Sequence, residues 1–189
     1  MTLWQKIIDS IYPAGSKACG ILLSHSRSVA DEALGIAHRL HLPLSDEEIE
    51  SAAMLHDIGI IATDAPGIGC HGKYPYLIHG AVGADMLREA GADEKYARIA
   101  ERHTGAGLTA EEIAASGLPF PGGRCYMPET LLEKLICYAD CFYSKGGDGK
   151  RKSLGRVEAS MAKFGADVLR RFRVLDAMFG EKAAGGSET

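Results

Sequence analysis

Six side chains with the chemistry of metal ligands lie between residues 25 and 140 of the chain. They are His25, His56, Asp57, His79, His103 and Asp140. Each lies in a stretch whose apolar residues recur every three or four positions, the spacing that faces the core from a helix. Burying these imidazoles and carboxylates without partners would be very unfavourable. The pattern therefore predicts a metal centre.

The residue types indicate which metals the centre binds. Imidazole and carboxylate ligands favour iron, manganese, cobalt, nickel or zinc over copper(I) or calcium. No H-E-x-x-H segment occurs, so a metalloprotease helix is excluded. Six ligands exceed the roughly three protein ligands of a single catalytic zinc and suit two divalent transition metal ions. Asp57 is the expected bridge, because the adjacent His56 binds one ion and fixes the local backbone.

A pair of such ions predicts hydrolysis of a phosphoester. Cations roughly 3.5–4 Å apart hold a hydroxide nucleophile and clamp phosphate oxygens, so His56 and Asp57 are the predicted catalytic residues. Three cationic side chains are candidates for binding the substrate phosphate, namely Lys73, Arg102 and Lys145. His71, in a glycine-rich loop, is a further candidate contact.

A structural role is the alternative for each histidine taken singly. A lone histidine on an apolar face, such as His79 or His103, is more often a hydrogen-bonded core residue than a ligand. The joint occurrence of six ligand types in such stretches favours the metal centre. His38 and His41, near a helix end, are expected to face solvent.

The sequence has a helical pattern of apolar residues over nearly its whole length, which predicts an all-α fold that positions these residues. The predicted helices cover about 2–12, 16–41, 45–58, 76–90, 93–103, a short helix after Thr109, 128–144 and 153–179. Ser45 with Glu48, and Thr109 with Glu112, have the spacing of capping boxes. Pro128 is the predicted first residue of its helix. Residues 59–75 form a long loop of the kind that is often functional.

Composition limits the class of protein. A chain of 189 residues with 46% hydrophobic side chains predicts one domain, over 1–180, with a flexible tail at 181–189. The net charge of −4 gives no reason to expect nucleic acid or a membrane as partner, so a small phosphorylated molecule is the expected substrate. Five cysteines without C-x-x-C spacing favour the cytoplasm. No feature predicts an oligomeric state.

The run Met54-Leu-His-Asp-Ile-Gly59, with His25 before it and Asp140 after it, resembles the HD superfamily of metal-dependent phosphohydrolases. The resemblance covers about 20–145, and the helix at 153–179 is expected to pack on this core. Segments around His79 (HGAVGA) and His103 (RHTGAG) resemble the subset with two additional histidines. That subset includes the HD-GYP cyclic-dinucleotide phosphodiesterases and the HD-type dinucleoside tetraphosphate hydrolases, and similarity is closest to small bacterial and archaeal HDIG proteins.

The resemblance implies a ligand set for each ion. The first ion is matched by His25, His56, Asp57 and Asp140, and the second by Asp57, His79 and His103. The chain departs from HD-GYP proteins by lacking their Gly-Tyr-Pro element, and Lys73-Tyr74-Pro75-Tyr76 stands in the loop instead. This departure argues against a cyclic dinucleotide as substrate.

Two other functions remain open at this point. A few HD-fold proteins are di-iron oxygenases, and the same ligands would serve a redox-active iron pair. A binding or sensory module with a degenerate site is the other alternative. It is disfavoured because every ligand position is filled.

Overall fold

The computed structural model describes residues 1–147 and 149–182, and this part of the chain is all-α, as predicted. Its helices are α1 (Leu3–Ile11), α2 (Lys17–Arg39), α3 (Asp46–Leu55), α4 (His79–Glu89), α5 (Glu94–Arg102), α6 (Ala110–Ser116), α7 (Leu131–Asp140), α8 (Leu154–Ala162) and α9 (Ala166–Phe179). Two short antiparallel strands, β1 (Asp64–Ala65) and β2 (Cys70–His71), form the sheet of the described residues. The domain limits remain a prediction, and 183–189 of the predicted tail lies outside the described residues.

Polar caps decide where several helices begin. Thr109 and Glu112 form the predicted capping box at the start of α6. A second capping box, formed by Thr130 and Glu133, starts α7 at Leu131. The prediction that this helix begins at Pro128 was therefore wrong, because the cap lies two residues further on. Only one of the two hydrogen bonds of the predicted capping box forms at the start of α3. Ser45 Oγ accepts from the Glu48 amide at 3.3 Å, while its hydroxyl donates to the Glu48 carboxylate at 3.0 Å.

The predicted single helix over 153–179 is two helices. α8 ends at Ala162 and α9 begins at Ala166. Gly165, just before α9, has φ of 120°, a conformation that glycine adopts far more readily than other residues. The break lets α9 turn back, so that the buried Phe172 ring stacks on Tyr138 of α7 at 5.8 Å between centroids. α9 thereby covers the helix that ends in Asp140.

The core lies between α2, α3, α5 and α7, and α3 and α7 each contact the other three helices. α2 contributes the fully buried Leu22 and Val29, and α7 contributes Leu135 and Ile136. Each such side chain stabilises the fold by about 1.5–3 kcal/mol through removal of apolar surface from water. The same contacts fix the relative positions of helices that are far apart in sequence.

No helix within the described residues has both the length and the apolar character needed to cross a lipid bilayer.

Candidate metal centre

The first group of ligand-type atoms comes from α2, the end of α3 and the end of α7. His25 Nε2 lies 2.8 Å from Asp140 Oδ1 and 3.1 Å from Asp57 Oδ2. His56 Nε2 lies 3.1 Å from Asp57 Oδ2 and 3.5 Å from Asp140 Oδ1. One ligand atom from each of the four residues lies within 4.8 Å of all the others. This group could hold a metal ion.

The second group uses the other oxygen of the same aspartate. Asp57 Oδ1 lies 3.2 Å from His79 Nε2 and 3.2 Å from His103 Nε2. The two imidazole Nε2 atoms are 3.0 Å apart. Asp57 thus belongs to both groups, with Oδ2 facing the first and Oδ1 facing the second. The six residues named from the sequence are all brought together.

Three of the histidines are oriented by backbone carbonyls three residues earlier. Nδ1 of His56 donates to Ala53 O at 2.6 Å, and Nδ1 of His103 donates to Ala100 O at 2.7 Å. These carbonyls are available because both histidines directly follow a helix, where the last carbonyls lack helical partners. His79 donates in the same way to Tyr76 O at 2.8 Å. With Nδ1 as the donor, Nε2 presents a lone pair to the centre.

The position of the ligands relative to the helices differs from the sequence prediction. All six were predicted on the core-facing sides of helices, yet only His25 lies in the middle of one. His56 and Asp57 follow α3, which ends at Leu55 rather than near residue 58. The other three lie at the first residue of α4, just past α5 and at the last residue of α7. Their positions just past a helix give His56 and His103 a free carbonyl for Nδ1, whereas Nδ1 of His25, in the middle of α2, has no hydrogen-bond partner among the described residues.

The unpaired buried atoms fit a metal ion. His56 Nε2 and both carboxylate oxygens of Asp57 are buried without a hydrogen-bond partner among the described residues. Lys145 Nζ pairs with Asp57 Oδ2 at 2.8 Å. The other close neighbours are ligand-type atoms, as with the facing Nε2 atoms of His79 and His103. Lone pairs at this separation repel unless a cation lies between them. The imidazole and carboxylate donors suit divalent transition metals.

Electrostatics also favour a cation at the first group. Burial opposes the charge on Asp57, but His56 and Lys145 hold the pKa of its carboxyl well below its usual range. Burial likewise opposes charge on His56, yet Asp57 and Asp140 raise its pKa to about 10, so binding of a metal ion would displace a proton from its Nε2. His103, where burial dominates, has its pKa lowered to about 4 and is a neutral imidazole. Positive charge is therefore favoured beside the carboxylates.

Two glycines let the ligand-bearing segments approach closely. A Cβ on Gly59, two residues after Asp57, would overlap the carbonyl oxygen of His79. A Cβ on Gly80 would overlap the carbonyl oxygen of Ala100, which is the acceptor for His103. Only glycine fits at these two places. At Gly59, this close packing explains why the H-D-I-G run ends in glycine.

Gly80→Ala is expected to push α4 away from α5 and separate His79 from His103. The overlap should lower stability by roughly 1–3 kcal/mol, as overpacking does, and weaken metal binding by the second group. Gly35→Ala is the matched control, since a Cβ at this exposed position of α2 meets no atom within 4 Å and should raise stability by up to about 1 kcal/mol. Thermal melts and metal content measure both effects. Equal behaviour of the two variants would contradict the close-packing explanation.

The candidate substrate-binding residues lie in different places. Lys145 Nζ is 2.8 Å from Asp57 Oδ2, and its side chain is only 13% exposed. Lys73 is exposed, with Nζ 5.0 Å from the Tyr74 ring centroid, and His71 is exposed in β2. A cleft of about 420 Å³ beside Asp140 is lined by Lys145 but not by Lys73 or His71.

Arg102 faces away from the centre into a network of ion pairs. Its Nη1 lies 2.7 Å from Glu129 and 3.1 Å from the buried Glu133. Arg98 also pairs with Glu133, at 3.1 Å. The network joins α5 to the start of α7, so the guanidinium of Arg102 is engaged in structure behind His103.

Two tyrosines near the centre were not identified from the sequence. The buried Tyr12 hydroxyl donates to Ile58 O at 2.7 Å and accepts from the Ile61 amide at 3.3 Å, which holds the turn after Asp57. The Tyr76 ring stacks on the His79 ring at 4.8 Å and lines the cleft. Only its place three residues before His79 could have indicated Tyr76. No local signal links Tyr12 to a turn so far along the chain.

With this geometry described, the family of the chain can be stated. The family model of the HD domain matches residues 22–144, a range that contains all six ligand-type residues, and the chain belongs to the HD domain family. The resemblance found in the sequence is thus confirmed. No solved structure matches the chain.

Three relatives are archaeal proteins. A tRNA (cytidine(56)-2'-O)-methyltransferase of Thermoplasma volcanium is 35% identical over 86% of this chain and 42% of its own length. An uncharacterised protein of Methanocaldococcus jannaschii is 47% identical over 50% of this chain and 47% of its own length. A tRNA (cytidine(56)-2'-O)-methyltransferase of Picrophilus torridus is 33% identical over 64% of this chain and 30% of its own length. The chain spans less than half of each relative.

Proposed function

We propose that this chain is a phosphohydrolase that uses two divalent transition metal ions, drawn from iron, manganese, cobalt, nickel and zinc. Its substrate is a nucleotide or a related small phosphorylated metabolite. The main support for this proposal is that the two oxygens of the buried Asp57 face two separate groups of ligand-type atoms. Such ions, when bound, lower the pKa of water and neutralise phosphate oxygens.

The residues of the chain have distinct roles in this proposal. His25, His56 and Asp140 hold the first ion, His79 and His103 hold the second, and Asp57 bridges them. Carbonyl acceptors behind three of the imidazoles keep the Nε2 lone pairs aimed at the centre. Because these groups are fixed before substrate arrives, little reorganisation is needed during the reaction.

Lys145 is the cation that we assign to the substrate phosphate. Burial disfavours its charge, but Asp57 and Asp140 raise the pKa of its ammonium, so it stays protonated. It lies between the first ligand group and the cleft, where a phosphate oxygen would be within its reach. Arg102 is already paired with two glutamates, and Lys73 is outside the cleft lining.

Lys145→Met is expected to raise KM for the phosphate ester and to lower kcat/KM by about 10–100-fold. That range corresponds to the roughly 1.5–3 kcal/mol of a hydrogen bond to a charged group. The exposed Lys163 provides the control, since Lys163→Met removes an equal charge far from the cleft lining. Steady-state kinetics on one good substrate decides the matter. A larger loss in Lys73→Met than in Lys145→Met would overturn the assignment.

A phosphoester carried on transfer RNA is a second candidate substrate. It is favoured by the names of two relatives, tRNA methyltransferases in which a stretch similar to this chain occurs. The net charge of −4 opposes extended contact with RNA, which usually needs a basic surface. We therefore rank it below a small molecule.

One preparation of the protein can distinguish these functions. The metal-free chain is reconstituted separately with each of the five metals. It is then assayed for phosphate release from phosphomonoesters, nucleotides, dinucleoside polyphosphates and end-phosphorylated tRNA. Oxygen consumption is followed in parallel. Release from small nucleotides supports the proposal, and release from tRNA alone favours the second candidate. Oxygen consumption without phosphate release would indicate the di-iron oxygenase instead.

A further inference from the structure

The cleft beside the candidate metal centre takes part of its lining from the turn that follows α7. This turn contributes Tyr143, Ser144 and Lys145, next to Asp140 at the end of the helix. The rest of the lining comes from the loop between α3 and α4, through Ala65, Gly67, Ile68 and Tyr76. Lys145 Nζ lies 2.8 Å from Asp57 Oδ2, and the path of the turn determines whether the side chain can reach that far. Whatever fixes the turn therefore also fixes the ammonium of Lys145.

One residue, Lys152, donates hydrogen bonds to three successive carbonyls of this turn. Its Nζ donates to Cys141 O at 3.1 Å and to Tyr143 O at 2.9 Å. Its backbone amide donates to Phe142 O at 2.9 Å. Carbonyls at the end of a helix lack helical partners, and a charged donor binds them more strongly than a neutral one. Lys152 therefore fixes the backbone just before Lys145.

The residue before Lys152 anchors this arrangement to α2. The Arg151 guanidinium lies 2.9–3.0 Å from both carboxylate oxygens of Glu32, a residue of α2. The hydroxyl of Tyr143, in the turn itself, donates to the same carboxylate at 3.2 Å. Because α2 also carries His25, the turn is attached to the helix that provides part of the first ligand group.

Lys152 does not contact the cleft itself. Its side chain is partly buried, its ammonium is engaged with two carbonyls, and it is not part of the cleft lining. Any influence of Lys152 on a bound phosphate must therefore pass through the turn and through Lys145.

We propose that Lys152 is a positioning residue, which holds the carbonyls of residues 141–143 and thereby places the ammonium of Lys145 beside Asp57. This inference rests on the proposed function, in which Lys145 contacts the substrate phosphate. The side chain of Lys152 bonds to none of the six ligand-type residues, so its loss should release Lys145 and leave the two ligand groups in place.

The position of Lys145 is measured by its reactivity toward acetic anhydride, with the modified peptides quantified by mass spectrometry. In the metal-loaded wild type, Lys145 is only 13% exposed and pairs with Asp57, so it should react more slowly than the exposed Lys163. Lys152→Met should raise the rate at Lys145 by about tenfold or more, as expected for the loss of hydrogen bonds from a charged group. An unchanged rate would overturn the proposal. Lys152→Gln, which keeps a polar donor, is judged by the same criterion if Lys152→Met does not fold.

Arg39→Met is the matched control for lost stability. Arg39 donates to Phe179 O at 2.6 Å and to Gly180 O at 3.1 Å, so this cation also binds two carbonyls at the end of a helix, here α9. The variant should lower the melting temperature as Lys152→Met does, yet leave the acylation rate of Lys145 unchanged. Equal acceleration of Lys145 acylation in both variants would show a general loss of stability and overturn the positioning role.

Inorganic phosphate tests whether Lys152 acts through Lys145. Its affinity is measured by calorimetry for the metal-loaded wild type, for Lys145→Met, for Lys152→Met and for the double variant. Each single substitution should weaken binding by about tenfold or more, and the double variant should bind no more weakly than Lys145→Met. Effects that multiply in the double variant would show independent action and overturn the proposal.

Neither measurement requires turnover, so failure of this inference can be told from failure of the proposed function. Faster acylation of Lys145 in Lys152→Met, with non-additive phosphate affinities but no phosphate release from any ester, would retain the positioning role and refute the hydrolase. Phosphate release from an ester, with an unchanged acylation rate in Lys152→Met, would retain the hydrolase and refute the positioning role.

Discussion

Asp57→Ala will abolish metal-dependent phosphate release and strip metal from the protein. The substitution removes the carboxylate whose two oxygens lie 3.1–3.2 Å from four imidazole nitrogens. Even residues that merely support a metal ligand change affinity or activity by about 10–100-fold, so loss of a shared ligand should exceed that range. Metal analysis and steady-state kinetics measure the two effects.

The Asp57 result needs a control for folding. Lys145 lies 2.8 Å from Asp57 and would lose its partner in the variant, which could destabilise the fold. The circular dichroism spectrum of the variant is therefore compared with that of the wild type, and the two must match. Asp57→Asn keeps the shape of the side chain and should show the same loss of activity and metal. Asp9→Ala, at an exposed position of α1, should leave both unchanged. Wild-type turnover with full metal content in Asp57→Ala would refute the bridging role.

The identities of the ligand residues could be predicted because their chemistry conflicts with their surroundings. His56 and Asp57 follow a run of small and apolar residues, and both are fully buried. Buried imidazoles and carboxylates are unfavourable unless they are paired or bind a metal. Their helical spacing in the sequence predicts the burial, and with it the need for such a partner. The all-α fold follows from the same periodicity.

The ends of the helices could not be predicted equally well. α3 ends at Leu55, and Gly59 then passes close to His79, a contact between distant segments that no local pattern encodes. α8 and α9 share one apolar periodicity, and residues 163–165, with Gly165 at φ of 120°, separate them. Since local pattern continues through both places, sequence reasoning extended each helix too far.

The substrate cleft was also beyond local reasoning. Nothing in the sequence favoured one of the three cationic candidates for phosphate binding. Long-range packing determines which of them lies at the centre. Arg102 is drawn to Glu133 across the α5–α7 contact, whereas the turn after α7 brings Lys145 to Asp57. Ile68 reaches the cleft only because its loop folds back onto Gly146. Each contact joins residues more than thirty positions apart.

The second group of ligands can be tested independently of the first. His79 and His103 meet with their Nε2 atoms 3.0 Å apart, and each contacts only Oδ1 of Asp57. His79→Ala or His103→Ala should therefore lower bound metal from about two ions per chain toward one. The ion held by His25, His56 and Asp140 should largely remain. Catalysis should fall by more than about 100-fold, because one ion must then neutralise the phosphate and activate water.

The matched control for the second group is His38→Ala. His38 is an exposed histidine whose Nε2 pairs with Asp46 at 2.8 Å on the protein surface, so its loss should change neither metal content nor turnover. If His79 and His103 are instead hydrogen-bonded core residues, their replacement should lower the melting temperature and leave metal stoichiometry unchanged. A wild-type protein that binds a single ion at saturating metal, with both variants fully active, would exclude the two-metal centre. Metal analysis after gel filtration, together with melting temperature and kcat for all three variants, separates these outcomes.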